Sequence, residues 1–370
     1  MLAMVGFITA VVFIYFGMQY YVAFWLIRHF PRLGLNANAV RIAVLLLSAS
    51  FPLAVHSLRI FRGAWVGWFA YISFIWLGIV FIWLTCALLG DLSLVLAWLC
   101  GAVERARPVA AVGVLAATAL LSLWAIFNAS RMPKLTEVEI ELPRLPQGLD
   151  GFTIVQLSDL HLGAVVPMEK FARIAERVAA LKPDMIVLTG DISDAGLKKN
   201  APAGAFLRAP HGVFAVMGNH EFYHGLEDSA RVLQDMGARV LRNEVAAAPC
   251  GIQVIGVDDI RTARVSRPEV AELLRRLDPA KPSIFLSHQP LDFDLAAQAG
   301  VGLMLSGHTH EGQIWPFGLI VRLFYPHFHG LYKERASWLY VSAGTGQWGP
   351  PMRLFTRAEI VRIRLRAPKN

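Results

Sequence analysis

The chain has 370 residues, 55% of them hydrophobic, with a mean hydropathy of +0.48 and a formal net charge of +8. So apolar a balance excludes an ordinary water-soluble protein. The positive charges are scattered and match no nucleic-acid module, so no nucleic-acid partner is expected.

The apolar excess lies in the first 128 residues, where Asp91 and Glu104 are the only acids. Residues 4–27 (MVGFITAVVFIYFGMQYYVAFWLI) exceed the ~7–15 apolar residues of a secretory signal. They also lack its basic start and its small-residue cleavage site. A membrane span needs ~20 apolar residues, and residues 39–58 supply a second, with Arg41 able to snorkel at one end. Residues 64–100 are long for one helix and tight for two. Gly90-Asp91 is a possible break, but one long or kinked helix is preferred, with five spans as the alternative to four. Residues 108–129 form the last span. The expectation is an all-α transmembrane region over 1–130, with helices at 5–28, 39–58, 66–99 and 108–129.

Arg28, Arg32, Arg41, Arg105 and Arg107 fall on one side of such a bundle. Arg59, Arg62, Arg131 and Lys134 fall on the other, which is no clear bias. Cys250 is the only cysteine after the spans, so that part can form no internal disulfide. This fits a reducing compartment, and the domain is expected on the cytoplasmic side of a bacterial cytoplasmic membrane. The basic tail, with Arg353, Arg357, Arg362, Arg364, Arg366 and Lys369, suits attraction to anionic lipid.

From about Lys134 the charge density is that of a soluble domain. Residues 131–150 read as a linker with a first strand, and 151–370 as one α/β domain. Apolar runs such as TIVQL, MIVLT, VFAVM, IQVIG, SIFL, GLML and WLYV read as strands buried on both faces. They are interleaved with amphipathic helices, among them MEKFARIAERVAAL with Phe171, Ile174, Val178 and Leu181 on one face. In such sheets, ligands bind beyond the carboxyl ends of the strands.

Those ends carry Ser158-Asp159-Leu160-His161, Gly190-Asp191, Gly218-Asn219-His220-Glu221, Ser287-His288 and Gly307-His308-Thr309-His310. One strand-end Asp is most often a helix cap, and D-x-H arises readily by chance. Five fragments in equivalent positions, all of metal-ligand residue types, are not explained by caps and turns. In an extended D-x-H, residues i and i+2 point the same way and could reach one ion.

In this order the fragments resemble the calcineurin-like metallophosphoesterase superfamily, over roughly 152–365. QLSDLHLG, GNHEFYHG, GHTHEGQIWPF and AGTGQWGPPMRL are similar to its bacterial membrane-associated branch, where relatives cleave the pyrophosphate of UDP-diacylglucosamine. The resemblance implies a layered α/β/β/α sandwich of mixed sheets and two divalent cations (Mn, Fe, Zn or Mg). Asp159, His161 and His310 would hold one, Asn219, His288 and His308 the other, and Asp191 both. A hydroxide between the cations would attack phosphorus, and His220 would protonate the leaving oxygen or stabilise the phosphoryl group. Glu221 is expected to orient that imidazole, with Tyr223 and His224 as candidates for reaching substrate. The branch usually reads GHTHGGQ, and Glu311 replaces one of those glycines here.

The implied function is a membrane-anchored phosphohydrolase acting on a phosphate ester or pyrophosphate, with membrane lipids as neighbours and a lipid-linked nucleotide among the substrates. Alternatives are a general phosphodiesterase merely tethered to the membrane, a non-catalytic membrane sensor, and a transporter, for which Asp91 alone is too sparse an ion path. Residues 314–332 (IWPFGLIVRLFYPHFHGLY) read as a hairpin packed on the sheet, or as an interfacial loop beside the site.

Overall fold

The structure, a computed structural model, describes residues 2–30, 36–61, 63–194 and 207–369. Arg32 and Arg62 of the charge comparison lie outside the described residues. The chain divides into two compact units, Met1–Ser130 with Gly349–Leu354, and Arg131–Trp348 with Phe355–Asn370. Residues 131–150 thus belong wholly to the second unit, and the hexapeptide 349–354 groups with the helices.

In the first unit, α1 (Leu2–His29), α2 (Ala37–Ile60), α3 (Ala64–Leu99) and α4 (Val103–Ser130) are each long and apolar enough to cross a membrane. Asn36 starts α2 as its cap, accepting from the Asn38 and Ala39 amides at 2.9 and 3.2 Å. Helix α3 runs through Gly90-Asp91 without a break, so the five-span alternative falls away. Gly90 serves packing instead, because a Cβ there would overlap Val114 of α4. At 36 residues, α3 is about 54 Å long, well beyond a bilayer core of about 30 Å. Asp91 is not left bare, since Tyr21 Oη and Trp25 Nε1 donate to it at 2.5 and 3.2 Å. The hexapeptide is held by the Arg353 amide donating to Ala125 O (2.9 Å) and by Asn128 Nδ2 donating to Arg353 O (2.9 Å).

The second unit contains two six-stranded mixed sheets. The first has the order β1 (Lys134–Glu141), β12 (Glu359–Arg366), β2 (Thr153–Leu157), β3 (Met185–Thr189), β4 (Val213–Val216), β5 (Arg239–Val240). The second has the order β10 (Gly330–Glu334), β11 (Ser337–Val341), β9 (Leu303–Ser306), β8 (Ser283–Leu286), β7 (Gln253–Gly256), β6 (Glu244–Ala247). Strands β2 to β5 run parallel, as do β7, β8, β9 and β11.

Alternation along β2 builds the layers. Ile154 faces the core between the sheets, with Val187, Val216, Val254, Ile284 and Leu305. Val155 and Leu157 face outward, onto Phe171, Ile174 and Val178 of α5 (Met168–Ala180) and Val232 and Leu233 of α7 (Leu226–Asp235). The other sheet is covered by α8 (Arg267–Arg275) and α9 (Phe293–Gln298), through Val270, Leu273, Phe293 and Ala296. The result is the expected α/β/β/α sandwich. Two elements differ from expectation: GNHEFYHG forms the short helix α6 (Asn219–His224), and 314–332 is no hairpin but contains α10 (Phe317–Phe324).

Glu359, buried at the start of β12, ties the two sheets together. It accepts from the Ala343 amide (2.9 Å), Tyr340 Oη (3.2 Å) and Thr136 Oγ1 (2.6 Å), and pairs with His329 at 3.4 Å. His329 also meets Glu311 at 3.5 Å. Burial pushes the Glu359 carboxyl up, but His329 and the donors outweigh it and hold it at about 2, below the ordinary 4.5. A depressed carboxyl stabilises the fold above pH 4.5, and that contribution is lost as pH falls toward 2, at a size of about 3 kcal/mol. Glu359→Gln is therefore expected to lower stability at pH 7 and to flatten its acid dependence over that window. Urea titrations of both forms from pH 2 to 7 check this, and parallel acid limbs would refute it.

Candidate metal centre

Strand ends and the loops after them bring the seven ligand-type residues and His220 together. Asp191 Oδ2 lies 3.1 Å from His288 Nε2 and 3.8 Å from His161 Nε2. On one side of it, His310 Nε2 is 3.4 Å from Asp159 Oδ1 and 3.2 Å from His161 Nε2. On the other, His288 Nε2 is 3.2 Å from Asn219 Oδ1 and 3.1 Å from His308 Nδ1. Donor atoms of Asp159, His161 and His310, and likewise of Asp191, His288 and His308, converge closely enough to share an ion.

The backbone that achieves this is not extended. Asp159 (φ 53°), His161 (φ 50°), Asp191 (φ 52°), His308 (φ 71°) and His310 (φ 50°) are all left-handed. The alternation argument for D-x-H therefore does not hold. Consecutive tight loops aim these side chains, a strained conformation costing about 1–3 kcal/mol per residue. Two glycines act by leaving room rather than by turning. A Cβ on Gly218 would overlap Asp191 Oδ1, and one on Gly307 would overlap Ser158 Oγ and Asp159 Oδ2.

Hydrogen bonds on the far side of each ring select the inward nitrogen. His288 Nδ1 faces Thr189 O at 2.8 Å, which can only accept, so Nδ1 carries a proton and Nε2 is the nitrogen left to face Asp191. His308 Nε2 meets Tyr325 Oη at 2.8 Å, and that hydroxyl donates to Gln289 Oε1 at 2.8 Å. It therefore accepts from His308, whose Nδ1 faces the site. Asp191 Oδ1 is fixed by the His220 amide at 2.9 Å.

The electrostatics call for positive charge. Burial pushes Asp159 up, with the charge of Asp191 adding to it; burial pushes Asp191 up as well, but His288, His220 and His161 together outweigh it and hold Asp191 well below the carboxylate range. Burial would lower His288, but Asp191 and Asp159 raise it well above the ordinary value. His308 is pushed down to about 3 by burial and by the charge on His288. Two buried carboxylates drawing a proton onto one ring beside a neutral ring are what a divalent cation would satisfy, and nitrogen and oxygen donors suit one.

Two roles differ from expectation. Glu221 does not face the His220 ring. It is fully buried and accepts from the backbone amides of Gly218 (2.7 Å), Asp191 (3.0 Å), Ile192 (2.7 Å) and Ser193 (2.9 Å), stapling two ligand loops together. The carboxylate at the imidazole is Asp194, which the sequence reading missed. Its oxygens lie 3.3 Å from His220 Nδ1, 3.4 Å from His161 Nδ1 and 2.8 Å from His224 Nε2. Burial lowers the His220 ring, but its hydrogen bond to the Asp194 carboxylate and the charge of Asp191 raise it to about 9. The only sequence signal was a second acid three residues after Asp191. Tyr223 and Trp348 lie at the rim, their rings 5.8 and 6.2 Å from that of His220.

Residues 152–312 match the family model for calcineurin-like phosphoesterases. A metallophosphoesterase of Aquifex aeolicus is 36% identical over 240 residues, 62% of this chain and 91% of that protein. One of Helicobacter pylori is 37% identical over 248 residues, 64% of this chain and 65% of that protein. A transmembrane protein with a metallophosphoesterase domain from Danio rerio is 35% identical over 266 residues, 67% of this chain and 61% of that protein. The match thus spans somewhat less than two thirds of the last two relatives. With the strand-end ligand set and these likenesses in hand, the chain belongs to the calcineurin-like phosphoesterase family.

Proposed function

We propose that the chain is a membrane-anchored phosphohydrolase that works with two divalent cations. The observation that carries this is Asp191, whose Oδ2 lies between His288 and His161, with a His/carboxylate group on one side and a His/Asn/His group on the other. Asp159, His161 and His310 would hold one cation, Asn219, His288 and His308 the other, and Asp191 both, with Mn, Fe, Zn and Mg all compatible with these donors. Bound cations would supply Lewis acidity toward the phosphoryl oxygens and lower the pKa of the attacking water.

The chain's own residues supply the rest. His220, protonated and aimed by Asp194, is positioned to give its proton to the departing oxygen as the phosphorus–oxygen bond breaks. Water takes the place of that oxygen, so the products are a phosphate and an alcohol, or two phosphates from a pyrophosphate. Four spans favour a lipid-linked or membrane-proximal substrate, because tethering raises its local concentration. A lipid-linked nucleotide such as UDP-diacylglucosamine is the one to test first. The sensor alternative is disfavoured by the complete ligand set with His220 and Asp194 in hydrogen-bond reach of one another.

The test is purification in detergent, metal analysis, and a panel of phosphomonoesters, phosphodiesters and nucleotide-lipid pyrophosphates with each cation. Hydrolysis of at least one class with about two bound cations is expected. No hydrolysis with any cation would overturn the reading.

A further inference from the structure

None of the eight residues of α10 (FGLIVRLF) is buried. Leu323 and Phe324 are 81% and 62% exposed in the full chain, and Phe317, Leu319 and Ile320 are exposed beside them. Leu319 and Leu323, like Ile320 and Phe324, are four residues apart and share a face. The helix has no acid, and its one charge, Arg322, turns onto the Phe328 ring at 4.7 Å, leaving the face wholly apolar. Exposed rings continue the patch beyond the helix, with Trp315 meeting Phe355 at 6.2 Å between centroids.

A soluble surface rarely carries so contiguous an apolar patch without an occupant. We propose that α10 is an interfacial helix whose apolar face docks into the headgroup region of the bilayer. At eight residues it is about 12 Å long, too short to span and suited to lying in the surface. Two further observations select lipid as the occupant. Among the described residues, four helices are long and apolar enough to cross a membrane. Phe355, at the end of the patch, is bonded to Leu354, the last residue of the hexapeptide that groups with those helices.

The helix is also built into the metal centre at both ends. The turn before it starts at His310, and the Gly318 backbone fills the space a Cβ on Gly312 would need. Tyr325, which ends it, is buried and holds His308. Tyr325 is thus a positioning residue rather than a lipid contact, and Leu323 is the residue to test. Docking at α10 holds the phosphate-binding loops at headgroup level, so a phosphate carried on a lipid reaches them without leaving the bilayer. That consequence for substrate rests on the proposed function, whereas the docking does not.

The test uses the full chain in nanodiscs of phosphatidylethanolamine and phosphatidylglycerol. p-Benzoylphenylalanine replaces Leu323, or Arg275 on the exposed surface of α8 as control. On irradiation, lipid adducts at 323 should exceed those at 275 by about tenfold. Their absence, or an adduct to a second copy or another protein, overturns the docking. In a second arm, Leu323→Glu and Phe324→Glu are compared with wild type on a soluble aryl phosphodiester and on the same ester carrying an acyl chain in vesicles. A loss of about tenfold on the vesicle ester only is expected, and equal loss on both overturns delivery by α10. Should wild type cleave neither ester, the proposed function fails while the adduct result still decides the docking.

Discussion

Asp191→Asn is expected to lower kcat by about 10³-fold, a loss of about 4 kcal/mol in transition-state stabilisation, with folding retained. The substitution keeps the shape and the contact with the His220 amide, but removes the charge that faces both His288 and His161. Both cation positions would share that carboxylate, so bound metal should fall from about two per chain toward one or none. Metal analysis of the purified variant, its circular dichroism and its rate at saturating cation together check this. A full rate with two cations still bound would remove Asp191 from the centre and the mechanism with it.

The second large effect concerns a residue without a place in the family's strand-end motifs as read from this chain. Asp194→Asn at saturating cation should cost about 10²-fold in kcat, the range for a carboxylate that orients an acting imidazole. If Asp194 acts through His220, the losses are not additive, and Asp194→Asn in a His220→Ala background costs little more than His220→Ala alone. Its second contact, to His161 Nδ1, predicts a separate weakening of cation affinity by about tenfold, read from the cation dependence of the rate. Additive losses at saturating cation would show that Asp194 works by another route.

Much of this protein is legible in its sequence because the signals are local. Four helices follow from apolar runs with Asp91 and Glu104 as their only acids, since a bilayer tolerates little else. The buried strands show as continuous apolar runs, and the ligand types stand where those runs stop. Loops were less readable. Residues 314–332 have the apolar content of a packed hairpin, and only the surroundings decide that α10 is exposed while Tyr325 turns inward to His308. Glu311 could be noticed as a departure, but not that it adopts φ 53° and meets His329.

The layered α/β class, the four long apolar helices and the residue types that gather at the strand ends are all written in local patterns. How those residues are aimed depends on contacts between segments far apart in the chain. Glu221 binds four backbone amides instead of an imidazole, and Asp194 reaches three histidines from 26 to 33 positions away. The Gly349–Leu354 hexapeptide leaves one compact unit for the other. The physical reason is common to all three. Periodicity and composition record whether a side chain is buried. The partner of a buried polar group is chosen by which distant loops the two sheets bring within hydrogen-bond distance.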